Sequence, residues 1–167
     1  MVMKSLPSPV WLLASSLLVL GIGVTVSLLS MPAALAACRD IASVQRSADL
    51  AHNEEMGGHV AQHILGMQPP WGLSQYGKTM FSDAARYRSA WEHYSRITRP
   101  NDCSGSHVLQ VFDLGGRIEA LSCRDADKRG RCTRWDKFSA TQVALGFTRQ
   151  YAGAWILNTA YPLPEYP

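Results

Sequence analysis

Two histidines four residues apart follow a glycine pair in the segment 57–63, GGHVAQH. Histidine titrates near neutral pH, so His59 and His63 together can supply the base and the acid of a proton-transfer reaction. The glycines allow a backbone or a phosphate to approach closely, and a helix N-terminus there favours an anion. A zinc-protease helix is excluded, because it needs a glutamate where Val60 stands. Alternatively, the pair belongs to a surface helix that packs one histidine in the core.

A second set of candidate groups lies near the other end of the chain, in the segment 154–162, AWILNTAYP. On a strand, Thr159 and Tyr161 point to the same face, so both hydroxyls can reach one ligand oxygen. The same residues also fit an ordinary amphipathic strand, since threonine and tyrosine favour strands. Strict alternation places Trp155 and Leu157 on the face of these hydroxyls, and Ile156 and Ala160 on the other face.

Taken in order along the chain, these motifs resemble one known family. They are Gly-Gly-His at 57–59, the segment FSDAA at 81–85 at the start of a predicted helix, and a closing hairpin that ends in Thr-x-Tyr-Pro at 159–162. Together they look like the bacterial ribonuclease-A-like toxin domain, which is found at the C-terminal tips of contact-dependent inhibition toxins and related polymorphic toxins. The resemblance covers most of the chain, from about Asp49 to Pro164.

The resemblance implies RNA as the substrate, cleavage by transesterification without a metal or other cofactor, and a cognate immunity protein as a further partner. It makes His59 the catalytic histidine, acting as base toward the ribose 2′-hydroxyl or as acid toward the leaving 5′-oxygen. Thr159 and Tyr161 match the active-site Thr and Tyr of the family. Preorganised donors of this kind stabilise charge that grows on the phosphorane oxygens.

Two parts of the family pattern are altered in this sequence. The family holds the phosphate with a basic residue, and no Arg or Lys lies between His59 and Lys78. Lys78 and Arg149 are the candidates for this cation, which matters because two neutral hydroxyls cannot match a guanidinium. The second histidine is displaced by about one position, which leaves the catalytic role of His63 open.

A basic run occupies the segment 124–137, with three aspartates among its cations. A basic hairpin with an aromatic side chain can follow an RNA backbone and stack a base. The alternative is a solvated loop. The RNA-binding candidates of this run are Arg124, Lys128, Arg129, Arg131, Arg134 and Trp135, and Lys137 ends it.

Helical periodicity dominates the chain before a turn-rich segment, PNDCSGS, at 100–106. A first helix is predicted from residues at three- and four-residue steps and ends before Gly57 and Gly58. A short second helix carries the segment 59–65, and the stretch 66–77, with two prolines, is predicted as a loop. A third helix covers 83–97 with Ser82 as its N-cap. The periodic positions are Ile41, Val44, Ala48 and Ala51 in the first helix and Tyr87, Trp91 and Tyr94 in the third.

Strand patterns dominate after that segment. Residues 108–112 and 117–122 alternate on either side of a predicted turn at Gly115 and Gly116. Two further strands, 142–147 and 154–161, are separated by a predicted hairpin turn at 150–153. The predicted fold class is therefore α+β, with N-terminal helices followed by an antiparallel sheet of about four strands.

The first 36 residues have the pattern of a secretory signal, with Lys4, an apolar run at 10–29 and small residues near Ala36. The sequence thus predicts a signal peptide at 1–36 and one exported domain at 37–167, secreted or periplasmic. An uncleaved signal would anchor the chain in a membrane. The segment LAAC at 35–38 also resembles a lipoprotein processing site, which would lipidate Cys38.

Four cysteines lie in the predicted mature domain, namely Cys38, Cys103, Cys123 and Cys132. In an oxidising compartment an even number suggests two disulfides, although their pairing does not follow from sequence. Cys123 and Cys132 bracket a turn-rich stretch and could staple a hairpin, which would leave Cys38 for Cys103. The spacings do not fit a zinc site, so no metal is expected.

The net charge of +3 is too small to indicate nucleic-acid binding by itself. A function of a different class therefore stays open beside the ribonuclease. In that alternative, the chain is a non-enzymatic periplasmic or lipid-anchored binding or inhibitor protein, held by disulfides, whose histidines and last strand are structural. The two differ in geometry, because the ribonuclease requires His59 to lie against the strand of Thr159 and Tyr161 with a cation within reach.

Overall fold

The structure is a computed structural model that describes residues 36–67, 74–97 and 100–165. The predicted signal segment up to Leu35 and the loop residues 68–73 lie outside the described residues. The described residues form one compact unit. None of the helices in the described ranges has the length and apolar character needed to cross a bilayer.

The predicted first helix is broken in two at Asp49. Helix α1 covers Ala42–Ala48, and helix α2 covers Leu50–Asn53. Asp49 is extended, and its carboxylate accepts a hydrogen bond from the Ala51 N–H at 3.0 Å. An aspartate in this position caps a new helix instead of continuing the old one. The chain therefore turns at Asp49 and leads α2 toward the segment of the histidines.

The predicted second helix is a short 3₁₀ turn, Val60–His63, that follows His59. The helix is thus shorter than predicted and of the 3₁₀ type, and His59 precedes it. Gly57 has a φ of +86°, which glycine adopts readily. A Cβ on Gly58 would lie 2.5 Å from Asn53 Nδ2. Gly58 thus makes room for the buried side chain of Asn53.

Helix α3 covers Ala84–Arg96, close to the predicted bounds. Its N-cap is Asp83, not Ser82, because the Asp83 carboxylate accepts the Arg86 N–H at 2.8 Å. The side chains of Tyr87 and Tyr94 are buried, as the periodicity predicts, and their hydroxyls bond to buried partners.

A curled, four-stranded antiparallel sheet follows the order β1-β2-β3-β4. The α+β fold class, with helices and an antiparallel sheet of four strands, is confirmed. Strand β1 had no counterpart in the sequence patterns because it is only three residues long and lies between the predicted loop and α3. The strands are β1 Thr79–Phe81, β2 His107–Ala126, β3 Cys132–Arg149 and β4 Trp155–Leu163.

Strand β2 is continuous through the predicted turn at Gly115 and Gly116. Both halves of β2 pair with β3, and the register shifts between Asp113 and Ile118. The Asp113 carboxylate accepts the Gly115 N–H at 2.6 Å, which makes a local irregularity without reversing the chain. The prediction of two separate strands was therefore wrong, whereas the hairpin turn between β3 and β4 is confirmed.

Strand β4 contains an irregularity at Asn158 that changes its alternation. Gly146 pairs with Thr159, and the next β3 residue pairs with Leu157, so Asn158 is the extra residue. Leu157 and Ala160 both join the buried core as a result. The predicted parity of Leu157 with Thr159 was wrong, because one extra residue reverses the faces that follow.

The sheet curls until its first and last strands come together. The Thr79 hydroxyl donates to the Pro162 carbonyl at 2.7 Å, and Ile64 forms a parallel bridge with Phe81. The helices pack on the sheet over a core that includes Tyr87, Tyr94 and Leu157. The curl brings β1 and the 3₁₀ turn beside β4.

Two disulfides join Cys38 to Cys103 and Cys123 to Cys132. The pairing that staples the β2–β3 hairpin is confirmed. The Sγ of Cys38 is bonded to Cys103, so it cannot carry a lipid at the same time.

Candidate functional site

Two histidines, a lysine and a tyrosine from three separate segments form one cluster in the curl of the sheet. The His59 N–H donates to the Asn158 carbonyl at 2.7 Å, which holds the start of the 3₁₀ turn on β4. The ring centroids of His59 and His63 are 6.1 Å apart, and those of His63 and Tyr161 are 5.2 Å apart. The structure thus brings together residues about 100 positions apart in sequence.

Lys78 is the cation of this cluster. Its Nζ donates to the side-chain oxygen of Gln62, a buried residue within the 3₁₀ turn. Its carbonyl accepts the Cys123 N–H at 3.0 Å, so the disulfide-stapled hairpin fixes its backbone. Burial lowers the pKa of Lys78. The positive charge of Lys78 in turn lowers the pKa of both His59 and His63.

Arg149, the other candidate cation, lies elsewhere. It is the last residue of β3, and its Nε donates to the Gly153 carbonyl at 3.3 Å in the β3–β4 turn. Its side chain is exposed, and Arg149 pairs with Trp155 at the far end of the hairpin from Tyr161. Of the two candidate cations, Lys78 and not Arg149 lies close enough to the histidines for its charge to act on both of them.

His63 is 8% exposed, and its Nδ1 lies 2.8 Å from the Thr79 carbonyl oxygen. A carbonyl only accepts, so Nδ1 carries the hydrogen and Nε2 keeps its lone pair. Burial, followed by the charge of Lys78, lowers the pKa of His63 to about 4 against the opposing effect of this hydrogen bond. His63 is neutral at pH 7 as a consequence.

We expect acid to destabilise the domain through His63. The unfolded chain binds a proton at this residue near pH 6.5, while the folded chain resists it to about pH 4. Stability is thus complete above pH 6.5 and falls through this window, by roughly 3 kcal/mol at its lower end. His63→Asn keeps a donor near the Nδ1 position without titrating. Urea unfolding at pH 7 and pH 4.5 should show a smaller acid loss in His63→Asn than in the wild type, and equal losses would contradict this role.

His59 is half-buried beside the same lysine. Burial and the charge of Lys78 lower its pKa, and a hydrogen bond with the Asn158 side chain acts in the opposite direction. His59 is therefore largely unprotonated at neutral pH and able to accept a proton. It is also more accessible than His63, which makes it the better candidate to touch a substrate.

A buried asparagine that the sequence analysis did not identify holds the cluster in place. The side-chain nitrogen of Asn53 donates to the Leu157 carbonyl at 2.8 Å, and its oxygen accepts the Val60 N–H at 2.9 Å. The nitrogen also donates to the Ser47 carbonyl at 2.6 Å. Asn53 thus joins α1, the 3₁₀ turn and β4, the three segments on which the position of His59 depends.

Asn53→Ala should lower the free energy of unfolding by about 3 kcal/mol, because it leaves buried backbone groups without partners. Asn101→Ala is the matched control, since Asn101 is exposed, and its change should stay within about 0.5 kcal/mol. Denaturant unfolding of both variants measures the difference. Equal, small effects would show that Asn53 does not act as the clamp described here.

Thr159 lies one residue beyond Asn158 and presents an unusual feature. Its Oγ1 is buried and has no hydrogen-bond partner within the described part of the chain. Its Cγ2 occupies the space over Gly146, where a Cβ would come within 2.7 Å. A buried hydroxyl without a partner is costly, so this atom is a candidate to bond a ligand oxygen.

The basic run forms the end of the β2–β3 hairpin, and most of its charges are paired across the strands. Arg124 bonds Asp136 at 2.8 Å, and Arg134 contacts Asp125 at 3.2 Å. Arg131 pairs with Asp127 at 2.9 Å and Lys137 with Glu119 at 3.1 Å. Lys128 and Arg129 occupy the exposed turn. The run is therefore a ladder of ion pairs more than a free cationic surface.

No family model, curated protein or solved structure matches this chain. Across the described ranges, no group of three or more His, Cys, Asp and Glu side chains is arranged to hold a metal ion.

Proposed function

We propose that the domain is an exported ribonuclease that cleaves RNA by transesterification and needs no metal ion for this reaction. The observation that carries the proposal is the cluster of His59, His63, Lys78 and Tyr161, which unites a proton acceptor, a cation and a hydroxyl donor. This set matches what attack by a ribose 2′-hydroxyl on the neighbouring phosphate requires.

In the proposed reaction, His59 takes the proton of the 2′-hydroxyl, and the 2′-oxygen forms a bond to phosphorus. The bond from phosphorus to the 5′-oxygen breaks, which leaves a 2′,3′-cyclic phosphate. The departing 5′-oxygen receives a proton from the Lys78 ammonium, whose pKa burial has lowered. Exchange with solvent then returns both groups to their starting states.

The hydroxyls of Tyr161 and Thr159 stabilise charge on the phosphate oxygens in this proposal. The Tyr161 ring lies 5.2 Å from the His63 ring and is tilted against it by 33°. Among the residues that the structure describes, the Thr159 hydroxyl has no hydrogen-bond partner, so a phosphate oxygen would satisfy it. His63 supports the arrangement as a neutral ring fixed by Thr79, and it is a positioning residue.

Two observations support the exported location in this proposal. The first 36 residues have the pattern of a secretory signal. The two disulfides are compatible with an oxidising compartment such as the periplasm or the cell exterior. A nuclease in that location acts on RNA away from the cytoplasm of the producing cell or on RNA of another cell.

The test uses the disulfide-bonded domain, residues 37–167, with total RNA in EDTA. We expect fragments to accumulate with time from RNA, and none from single-stranded DNA of comparable length, because DNA lacks the attacking hydroxyl. Equal degradation of both polymers, or intact RNA after prolonged incubation, would rule out the proposed reaction.

A further inference from the structure

A groove of about 740 Å³ lies between β1, the distal half of the β2–β3 hairpin and the end of β4. Its volume is within the roughly 300–1,000 Å³ of ordinary ligand sites. The lining includes aromatic and polar side chains that no step of the proposed reaction uses, among them Tyr76, Ser122, Trp135, Asp136 and Phe138. A lining of this composition is complementary to a ligand with a flat aromatic face and polar groups at its edge.

The groove begins beside the cluster. Thr79 lines it, and the Thr79 carbonyl is the group that bonds His63 Nδ1 at 2.8 Å. The neighbouring residue is Lys78, whose carbonyl bonds the N–H of Cys123, another lining residue. Lys78 itself does not line the groove, but its chain neighbours Gly77 and Thr79 do, so a nucleotide next to a phosphate at Lys78 is the one nearest to the groove.

Tyr76 offers an aromatic face at the groove. It is 64% exposed, which is high for so large an apolar ring. The loop that carries it is nevertheless fixed, because Gln75 N–H donates to the Gly130 carbonyl at 2.8 Å and its side chain accepts the Cys132 N–H at 2.8 Å. An exposed ring on an anchored loop is suited to stacking, since little freedom is lost on binding.

The charges of the groove are balanced. Arg124 and Lys137 line it together with Asp136 and Glu165, and Arg124 is bonded to Asp136. A balanced lining gives little attraction for a phosphate, whereas paired donors and acceptors match the edge of a base. The charges therefore favour a phosphate at Lys78 and a base in the groove.

From these observations we infer that the groove binds a nucleobase of single-stranded RNA next to the phosphate held at Lys78, with Tyr76 as a stacking residue. This inference rests on the proposed function for the location of the phosphate. It makes an unpaired strand, rather than a duplex, the substrate class, because a base in a duplex cannot leave its partner to stack on a protein ring without a cost.

Binding tests the groove separately from cleavage. The probe is a fluorescein-labelled 2′-O-methyl hexanucleotide of mixed sequence, which lacks the attacking hydroxyl and stays intact, and the readout is fluorescence anisotropy at low salt. Tyr76→Ala should weaken binding about ten-fold or more, the size expected for one lost base–aromatic contact. Tyr76→Phe keeps the ring and should bind as the wild type does. Tyr151→Ala is the matched control, because Tyr151 is exposed in the β3–β4 turn and outside the groove.

The outcomes separate the two proposals. Three results would overturn the proposal that the groove binds a base, even for a domain that cleaves RNA. They are unchanged binding in Tyr76→Ala, equal losses in Tyr76→Ala and Tyr151→Ala, and no binding by the wild type. A selective loss in Tyr76→Ala supports the groove, even for a domain that does not cleave RNA. For an active domain, Tyr76→Ala should also raise KM for a hexaribonucleotide while kcat stays unchanged, and a fall in kcat alone would count against stacking.

Discussion

His59→Ala is expected to lower kcat/KM for RNA cleavage in EDTA by about 1,000-fold or more. A positioned general base contributes about 100-fold to 10,000-fold, and His59 is the accessible, largely neutral imidazole of the cluster. The fold should persist, because the bond from residue 59 to Asn158 uses the backbone N–H, which alanine retains. Initial rates on a fluorogenic oligoribonucleotide measure the loss.

His107→Ala is the matched control for this variant. His107 is exposed at the start of β2, and we expect its replacement to leave kcat/KM unchanged. Similar rates for His59→Ala and the wild type would mean that the activity comes from another group or from a contaminating nuclease. Loss of activity together with a lower melting temperature would indicate a structural role for the His59 ring instead.

Lys78→Met should lower kcat/KM by about 100-fold to 1,000-fold, the usual cost of removing one preorganised donor from a site where charge develops. Methionine keeps the apolar stem of the half-buried lysine and removes its charge. Lys78→Arg keeps a cation that can hold the phosphate, but a guanidinium does not give up its proton, so this variant should recover only a small part of the activity. Steady-state kinetics of the two variants measure these effects.

Lys78→Met also tests whether the lysine acts on the histidines through its charge, which a purely structural lysine would not do. The charge of Lys78 lowers the pKa of His59 and His63, so both values should rise in Lys78→Met and less in Lys78→Arg. NMR titration of the imidazole resonances measures both pKa values. Unchanged histidine titration in Lys78→Met would place its ammonium too far from the rings to serve the proposed reaction.

Local patterns predicted the parts of the fold that local contacts determine. The periodicity of α3 placed Tyr87 and Tyr94 in the core, and the turn residues placed the β3–β4 hairpin. The spacing of Cys123 and Cys132 indicated the stapled hairpin. In each case the pattern that led to the prediction is local in sequence, although the contacts that bury Tyr87 include a bond to Ala48 from 39 residues away.

The elements that differ from the prediction depend on one or two residues whose types are compatible with two different local structures. An aspartate inside a helical pattern can continue the helix or cap a new one, and Asp49 caps. A Gly-Gly pair inside a strand pattern can reverse the chain or pass through it, and β2 passes through because both halves find partners on β3. The extra residue Asn158 leaves no trace in the alternation of apolar residues.

The site was predictable only in its chemically distinctive members. His59, His63, Thr159 and Tyr161 stand out by residue type, and Lys78 stands out as the first lysine or arginine after the two histidines. Asn53 does not, because a buried amide is recognised by its partners, and its bond to Leu157 spans 104 residues. The sequence analysis did not identify Gln62 for the same reason, since its partner Lys78 comes from another segment.

The product of the reaction tests the central claim most directly. Phosphorus NMR of a hexaribonucleotide incubated with the domain in EDTA should show a 2′,3′-cyclic phosphate as the first product, and His59→Ala should show none. A first product that ends in a 5′-phosphate and a 3′-hydroxyl would contradict attack by the neighbouring 2′-hydroxyl. So would an unchanged spectrum of the hexanucleotide after incubation with a folded, disulfide-bonded domain.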